Sequence, residues 1–129
     1  MTGERLFQEK NMNLEKICND VLKSDKDIAL VAISYRTEFF YKERDGVKSL
    51  QTKEDVEKAL ADASLRWVTR RSHRTLGEPL YAMAKYEKAK RITIPFGRYG
   101  IVLCGVLPDS DAERIAANLI KIVKKRVTD

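Results

Sequence analysis

The sequence predicts one α/β (α+β) domain, built on a single five-stranded antiparallel sheet of strand order 2-1-5-4-3 with helices on both faces. Residues 28–33 and 101–107 are apolar without alternation, as in strands that are covered on both faces. Three other segments repeat apolar residues at helical spacing. Side by side at the sheet centre, the two apolar strands give this order, with the first and last helices on one face and the second on the other.

The first helix is predicted over about 13–23, where apolar residues form one stripe and Asn13 is a suitable N-cap. The apolar run 28–33 follows as the first strand, and 39–43 as the second. Their connection at 35–38 is short enough for a hairpin, but it lacks the Gly or Asn that a tight turn prefers.

After the second strand, Asp45-Gly46 is a clear turn signal. It either closes that strand or starts a further short strand at 47–50. The second helix is predicted to start at Thr52, which with Asp55 resembles a capping box. It continues to about Arg71 or Arg74, with an acidic first half and basic last turns that complement the helix dipole without any ligand.

Residues 80–96 are predicted to form an outer hairpin next to the central strand 101–107. In its second strand, 90–96, apolar residues alternate with Arg91 and Thr93, which predicts a half-exposed strand near the sheet edge. The segment 110–113, Ser-Asp-Ala-Glu, then has the form of a capping box that begins the last helix.

The length of 129 residues suits one domain, predicted over 12–129 after a frayed tail at 1–11. The net charge of +6 raises the odds of an anionic partner, although the basic residues are interleaved with 19 acidic ones. No apolar run approaches the roughly 18 residues of a membrane span, and the N-terminus lacks the apolar segment of a signal peptide. The predicted location is the cytoplasm.

The sequence has few residues of the types that usually catalyse reactions or bind metals. Cys18 and Cys104 sit among apolar residues, which favours two buried thiols in a reducing compartment, while a disulfide stays open because spacing does not give distance. His73 is the only histidine, and no residue at a suitable spacing would orient it. No zinc-ligand spacing or phosphate-loop pattern is present. The sequence therefore predicts no enzyme, no cofactor and no metal site.

The element order and strand order over about 13–127 resemble those of profilin-like domains, and among them the roadblock/dynein light-chain family. One departure is the Arg36-Thr37 turn, where that family usually has a turn containing glycine. The resemblance implies proteins without a catalytic or metal site, which form homo- or heterodimers by pairing a sheet edge and the second helix. It also implies that they act as scaffolds or regulators for small Ras-like GTPases.

A closer resemblance is to a family of small uncharacterised archaeal proteins, which brings no function with it. The matching segments are Gly46-Val47-Lys48-Ser49-Leu50, Arg66-Trp67, Tyr81-Ala82-Met83-Ala84, Tyr86-Glu87-Lys88 and Lys90-Arg91-Ile92-Thr93-Ile94-Pro95.

Two basic clusters are candidate binding surfaces. Arginines at the end of the second helix could pair with carboxylate or phosphate, and Trp67 could stack on a base or a guanidinium. The alternative is a helix end whose arginines match the dipole, with Trp67 in the core or a dimer interface. Basic residues of the outer hairpin, with tyrosines between them, could bind single-stranded nucleic acid, or could simply protect an edge. The candidates for partner or anion binding are Arg66, Trp67, Arg70, Arg71, Arg74, Lys85, Lys90 and Arg91.

These observations favour a non-enzymatic protein-interaction or scaffold module. We expect it to be a homodimer that binds a protein partner, a small GTPase being one possibility. One alternative is a basic nucleic-acid- or anion-binding protein. Another is a small-molecule sensor, which needs a pocket between the sheet and the second helix. Membrane insertion is not expected.

Overall fold

The sheet has the strand order that the sequence predicts. In a computed structural model of the chain, which describes residues 14–47 and 50–126, five antiparallel strands follow the order β2-β1-β5-β4-β3. The strands are β1 (Ile28–Tyr35), β2 (Glu38–Glu43), β3 (Ala82–Lys85), β4 (Lys90–Phe96) and β5 (Gly100–Val106). The helices are α1 (residues 14–24), α2 (Lys53–Arg71) and α3 (Ala112–Lys124), and a 3₁₀ turn, Arg74–Leu76, follows α2.

The central strands β1 and β5 are covered on both faces, which explains their unbroken apolar sequences. On one face, α1 and α3 pack side chains such as Ile17 and Leu119 against the sheet. On the other face, α2 packs Leu60 and Trp67 against Leu103 of β5 and its neighbours. This is the predicted distribution of the three helices, and among the described helices it places only α2 on that face of the sheet.

The prediction that β4 is half-exposed is wrong at Thr93, which is buried with only 8% of its surface exposed. The C-terminal half of α2 covers this position, and the indole Nε1 of Trp67 donates a hydrogen bond of 3.2 Å to the Thr93 hydroxyl oxygen. The hydroxyl can be buried because it has this partner. Ile92 and Ile94 point to the opposite face, as the alternation predicts.

The β1–β2 hairpin closes without glycine, because Arg36 adopts a positive φ of 57° at the first of two central turn residues. That conformation is costly for a residue with a Cβ. The turn is held by the Arg36 backbone N–H, which donates to the Tyr99 carbonyl at 3.0 Å. The Arg36 guanidinium also lies over the Tyr99 ring, 4.1 Å from its centroid.

The end of β2 is tied to the end of α1 by Arg44. Its guanidinium donates to the carbonyls of Ile28 and Asp25, each at 2.7 Å, and to that of Leu22 in the last turn of α1. The turn at Asp45 and Gly46 closes β2, so the first of the two predicted alternatives holds.

Of the alternative strand at 47–50, Val47 and Leu50 are not in a strand, whereas Lys48 and Ser49 lie outside the described residues. The predicted tail at 1–11 and the predicted N-cap Asn13 lie outside them as well.

Helix α2 begins with the predicted capping box: the Thr52 hydroxyl accepts from the Asp55 N–H, and the Asp55 carboxylate accepts from the Thr52 N–H. For α3 the prediction that Ser110 is the cap is wrong. Asp111 is the N-cap and accepts from the Arg114 N–H at 3.2 Å. Ser110 is buried, and its hydroxyl donates to the Leu107 carbonyl at 2.6 Å, which removes it from the helix start.

Candidate functional site: the second helix and the outer hairpin

The predicted basic residues of the outer hairpin lie on opposite faces of the sheet. Lys85 and Lys90 are cross-strand partners, and by strand alternation they face away from α2. Lys90 is engaged there, because its Nζ donates to the Ser110 carbonyl at 2.7 Å. Arg91 points to the α2 side, together with its cross-strand partner Ala84. The hairpin therefore presents no single basic platform.

Three of the candidates at and just beyond the end of α2 have different surroundings and do not form one binding surface. Trp67 is buried, so its ring is not available to stack on a partner. Arg71 donates to the carbonyls of Gly97 at 3.2 Å and Arg98 at 3.0 Å, and so holds the turn between β4 and β5 against the helix. Arg74 is exposed in the 3₁₀ turn, because α2 ends at Arg71 and the predicted arginine stripe does not continue.

The remaining three candidates, Arg66, Arg70 and Arg91, meet in one cleft between α2 and the outer hairpin, which we call the arginine cleft. Its volume is about 100 Å³, and alanines of α2 and β3 together with Thr93 also line it. Arg91 lies over the ring of Tyr86, with its Cζ 5.3 Å from the centroid. Short side chains on both walls leave the guanidinium groups accessible.

The arginine cleft has an excess of positive charge. Within the described residues, none of its three guanidinium groups forms an ion pair with a carboxylate. Arg70 instead lies 5.5 Å from the centroid of the Trp67 ring. Arg91 makes a long contact of 3.4 Å to the Tyr86 hydroxyl. A cleft of this kind favours a carboxylate or phosphate of another molecule.

The structure also shows an apolar surface that the sequence analysis missed. Leu65 and Val68, three residues apart on α2, are 70% and 67% exposed. Leu76 and Leu80, beyond the helix, are 84% and 63% exposed. The signal was available, since Leu65 and Val68 fall outside the stripe of apolar α2 residues that packs on the sheet. Large apolar side chains that extend from a helix into solvent are typical of interaction surfaces.

Space for a small ligand is limited in the clefts formed by the described residues. The arginine cleft is about 100 Å³. Two further clefts are lined by no α2 residue: one with Leu30, Leu50 and Gly105 in its wall is about 120 Å³, and one with Leu50, Lys90 and Gly105 is about 220 Å³. Pockets that enclose drug-sized ligands typically measure about 300–1,000 Å³. The clefts therefore accommodate side chains or single anionic groups more readily than a sensor ligand.

The two cysteines are free and buried, and this decides the disulfide alternative that the sequence left open. Burial raises the pKa of the Cys18 thiol to about 12 and raises that of Cys104 further, with the neighbouring Cys18 adding to the effect. Thiols in this state are poor nucleophiles. In the described part of the chain, no three His, Cys, Asp or Glu side chains lie close enough to hold a metal ion.

The fold is that of roadblock/LC7 domains. Neither a protein-family model nor a curated protein matches the sequence. Solved structures do match: a roadblock/LC7 domain from Streptomyces avermitilis at 13% identity and a TM-score of 0.62, covering 87% of this chain and 92% of that one. Gliding protein MglB from Thermus thermophilus matches at 13% identity and a TM-score of 0.58, covering 87% of this chain and 89% of that one.

A structure described as MglB with a tetrameric arrangement matches at 15% identity and a TM-score of 0.60, covering 88% of this chain and 90% of that one. At such identities the likeness extends to the fold and supports the distant roadblock resemblance. A membrane-spanning helix would need more length and apolar character than any helix in residues 14–47 and 50–126 has.

Proposed function

We propose that the protein is a non-enzymatic interaction module that forms a homodimer and binds a protein partner. The observation that carries this proposal is the outer surface of α2. Leu65 and Val68 are exposed on a helix whose other large apolar side chains, Val56, Leu60 and Trp67, are buried against the sheet. Water contact at these positions costs the isolated chain about 25 cal/mol for each Å² of apolar surface, which a partner would recover.

The open edge of the sheet supports the dimer. Strand β3 is the outermost strand beside β4, and none of the residues that the structure describes pairs with its other edge. An unpaired edge offers backbone N–H and C=O groups to another strand. The resemblance to roadblock/dynein light-chain proteins implies that a sheet edge and the second helix pair between subunits. Light scattering with size exclusion at tens of micromolar tests this, since a clean monomer would contradict the dimer.

A small Ras-like GTPase is the partner that the fold favours, by analogy with the family that it resembles. The test is a titration of purified Ras-like GTPases from the same organism, in GDP- and GTP-analogue-bound forms. The variant Leu65→Glu/Val68→Glu should lose binding, because each change places a charge in the apolar contact. Leu107→Glu, at a leucine that is 46% exposed at the end of β5, is the control and should bind normally.

The alternatives are less well supported. Nucleic-acid binding stays a prediction. The basic side chains of the outer hairpin that would contact a nucleic acid lie on two faces of the sheet. For a sensor function, the clefts described above, of about 100 to 220 Å³, are smaller than the pockets that usually enclose a ligand. The absence of catalytic activity, a cytoplasmic location and membership of the small archaeal family also stay predictions, since no observation of the chain tests them directly.

A further inference from the structure

We propose that the arginine cleft binds the phosphate group of a small phosphomonoester, a ligand that goes beyond the proposed function. Arg66, Arg70 and Arg91 pair with the terminal phosphate oxygens, and the Thr93 hydroxyl donates to one of them. The apolar or aromatic part of the ester lies in the neighbouring cleft, which begins at Tyr86. The inference does not depend on the dimer.

Two of the three guanidinium groups are already held by aromatic rings. The Cζ of Arg91 lies 5.3 Å from the centroid of the Tyr86 ring, and that of Arg70 lies 5.5 Å from the centroid of the Trp67 ring. A guanidinium beside a ring keeps N–H groups at its edge available to an anion. The anion therefore meets donors whose freedom is already reduced, which lowers the entropic cost of binding.

The three positive charges of the cleft are not balanced by the protein. Within residues 14–47 and 50–126, none of the three arginines forms an ion pair, and neither does Asp62, which lies one turn before Arg66 on α2. Like charges that line one cleft of about 100 Å³ repel each other. A bound anion relieves this repulsion, and a dianion relieves more of it than a monoanion.

Thr93 provides a separate indication of a ligand with acceptor oxygens. The residue lines the cleft and is buried, with 8% of its surface exposed. Its oxygen accepts from the Trp67 indole N–H at 3.2 Å, and no acceptor for its own hydroxyl hydrogen is found among the described residues. Buried hydroxyl groups normally use their hydrogen-bonding capacity. A phosphate oxygen in the cleft supplies the acceptor.

The number of donors favours a phosphomonoester over other anions. A carboxylate offers two oxygens, and a phosphodiester offers two unesterified oxygens and one charge. A phosphomonoester presents three terminal oxygens and about −1.5 to −2 charges at pH 7. Three guanidinium groups match this number of oxygens, because arginine pairs with phosphate through two parallel N–H donors. The cleft, with alanines in its wall, leaves room for one such group.

The ester part is assigned by the neighbouring cleft, which is about 220 Å³. Tyr86 and Arg91 line both clefts, so the two spaces adjoin. The wall of the neighbouring cleft includes Leu50 and Ala89, and its surface is largely apolar. Gly105 is the cross-strand partner of Arg91 and has no side chain, so the sheet surface stays open on that side of the arginine. An apolar or aromatic substituent on the phosphate fits this surface.

The test follows the indole N–H resonance of Trp67 by NMR, because Trp67 is the only tryptophan of the chain. The isotope-labelled full chain is titrated at constant ionic strength with phenyl phosphate, inorganic phosphate and dimethyl phosphate. Phenyl phosphate should cause a saturable shift, since the bound oxygen polarises the Thr93 hydroxyl that accepts from the indole. Inorganic phosphate should bind more weakly. Dimethyl phosphate, which has the chemistry of a nucleic-acid backbone, should bind about tenfold or more weakly.

Matched variants separate the cleft from the general positive charge of the chain. Arg66→Gln removes one charge at an exposed position of the cleft and should weaken phenyl phosphate binding about tenfold. The control Lys85→Gln removes the same charge from an exposed residue on the opposite face of the sheet and should leave the Kd unchanged. Thr93→Ser keeps the hydroxyl and should retain both binding and the indole shift.

The inference is overturned if phenyl phosphate causes no saturable shift of the indole resonance, or if Lys85→Gln weakens binding as much as Arg66→Gln does. Equal binding of dimethyl phosphate would also contradict it, because the cleft would then not distinguish a monoester from a diester. Equal affinity for inorganic phosphate would contradict the assignment of the ester part. A monomeric wild type would refute the dimer and leave the outcome of this titration unaffected.

Discussion

At the scale of the residue, Thr93 and Trp67 form a buried polar pair in an otherwise apolar layer. The Thr93 hydroxyl accepts from the indole and is in turn free to donate into the arginine cleft, which it lines. Removing the hydroxyl leaves the buried indole N–H without its acceptor.

We expect Thr93→Val to lower the free energy of unfolding by about 1–3 kcal/mol, the usual cost of leaving a buried donor unsatisfied. Urea denaturation measures it, and Thr93→Ser is the control that keeps the hydroxyl. In a Trp67→Phe background, which has no N–H, the substitution by valine should cost clearly less. An equal cost in both backgrounds would show that the hydrogen bond is not the cause.

Arg36 gives a second prediction, because two of its properties oppose each other. Its backbone has a positive φ, whereas its guanidinium stacks on Tyr99. Both Arg36→Ala and Arg36→Gly lose the stacking, but glycine alone adopts this φ without strain. Arg36→Gly should therefore be more stable than Arg36→Ala by about 1 kcal/mol in denaturant unfolding. A more stable alanine variant would show that the turn changes its conformation.

At the scale of the element, Asp25 joins the turn after α1 to the start of α3. Its carboxylate accepts from the Asp27 N–H at 2.8 Å and lies 2.9 Å from the Arg114 guanidinium, and 8% of its side chain is exposed. Burial alone would raise the pKa of this carboxyl. The hydrogen bonds from Asp27 and Arg114, together with the positive charge of Arg114, outweigh burial and lower it below the usual value of 3.8.

The lowered pKa of the Asp25 carboxyl determines how its contribution to the free energy of unfolding depends on pH. The carboxylate contributes stability that is fully present above the unfolded-state pKa near 3.9 and is lost as the pH falls through the lower, folded-state pKa. We expect Asp25→Asn to cost about 1 kcal/mol at pH 7. Denaturant unfolding between pH 7 and pH 2 should show this difference shrinking below pH 4. A difference that is constant over that range would assign the effect to packing.

The strands and helices whose side chains pack against apolar neighbours in a regular pattern were predictable from sequence. Unbroken apolar strands indicate cover on both faces, and this gave the centre of the sheet and its order. The failures at Thr93 and Ser110 have a different origin, because each polar side chain is used by a partner outside its local pattern. A capping motif or an alternation does not show such a partner.

The candidate site was predictable to a smaller extent for the same reason. Strand alternation separates Lys90 from Arg91, but the convergence of Arg91 with Arg66 depends on how far α2 extends over β4. The carbonyls that hold Arg71 belong to a turn 26 and 27 residues further along the chain. Contacts at such separations are set by the fold and leave no periodic signal in the sequence.

At the scale of the whole molecule, the two sheet edges differ. Strand β2, at the edge opposite the outer hairpin, carries Glu38, Lys42 and Glu43. The Nζ of Lys42 donates to the Asn19 side chain at 2.8 Å. Charged side chains discourage pairing at an edge. The other edge strand, β3, has the sequence Ala-Met-Ala-Lys and a single charge at its end. The assembly edge that we propose is therefore β3.

The pairing of β1 with β5 also governs how the chain reaches this fold. Residues 28–35 find their central partner at 100–106, so the middle of the sheet closes across most of the sequence. Contacts of such long range are formed slowly, because the loop must close before they stabilise anything. During synthesis β1 leaves the ribosome long before β5, as an apolar strand with one neighbour at most. The nascent chain thus exposes its future core until the last strand arrives, and in that interval it is open to aggregation and a substrate for chaperones.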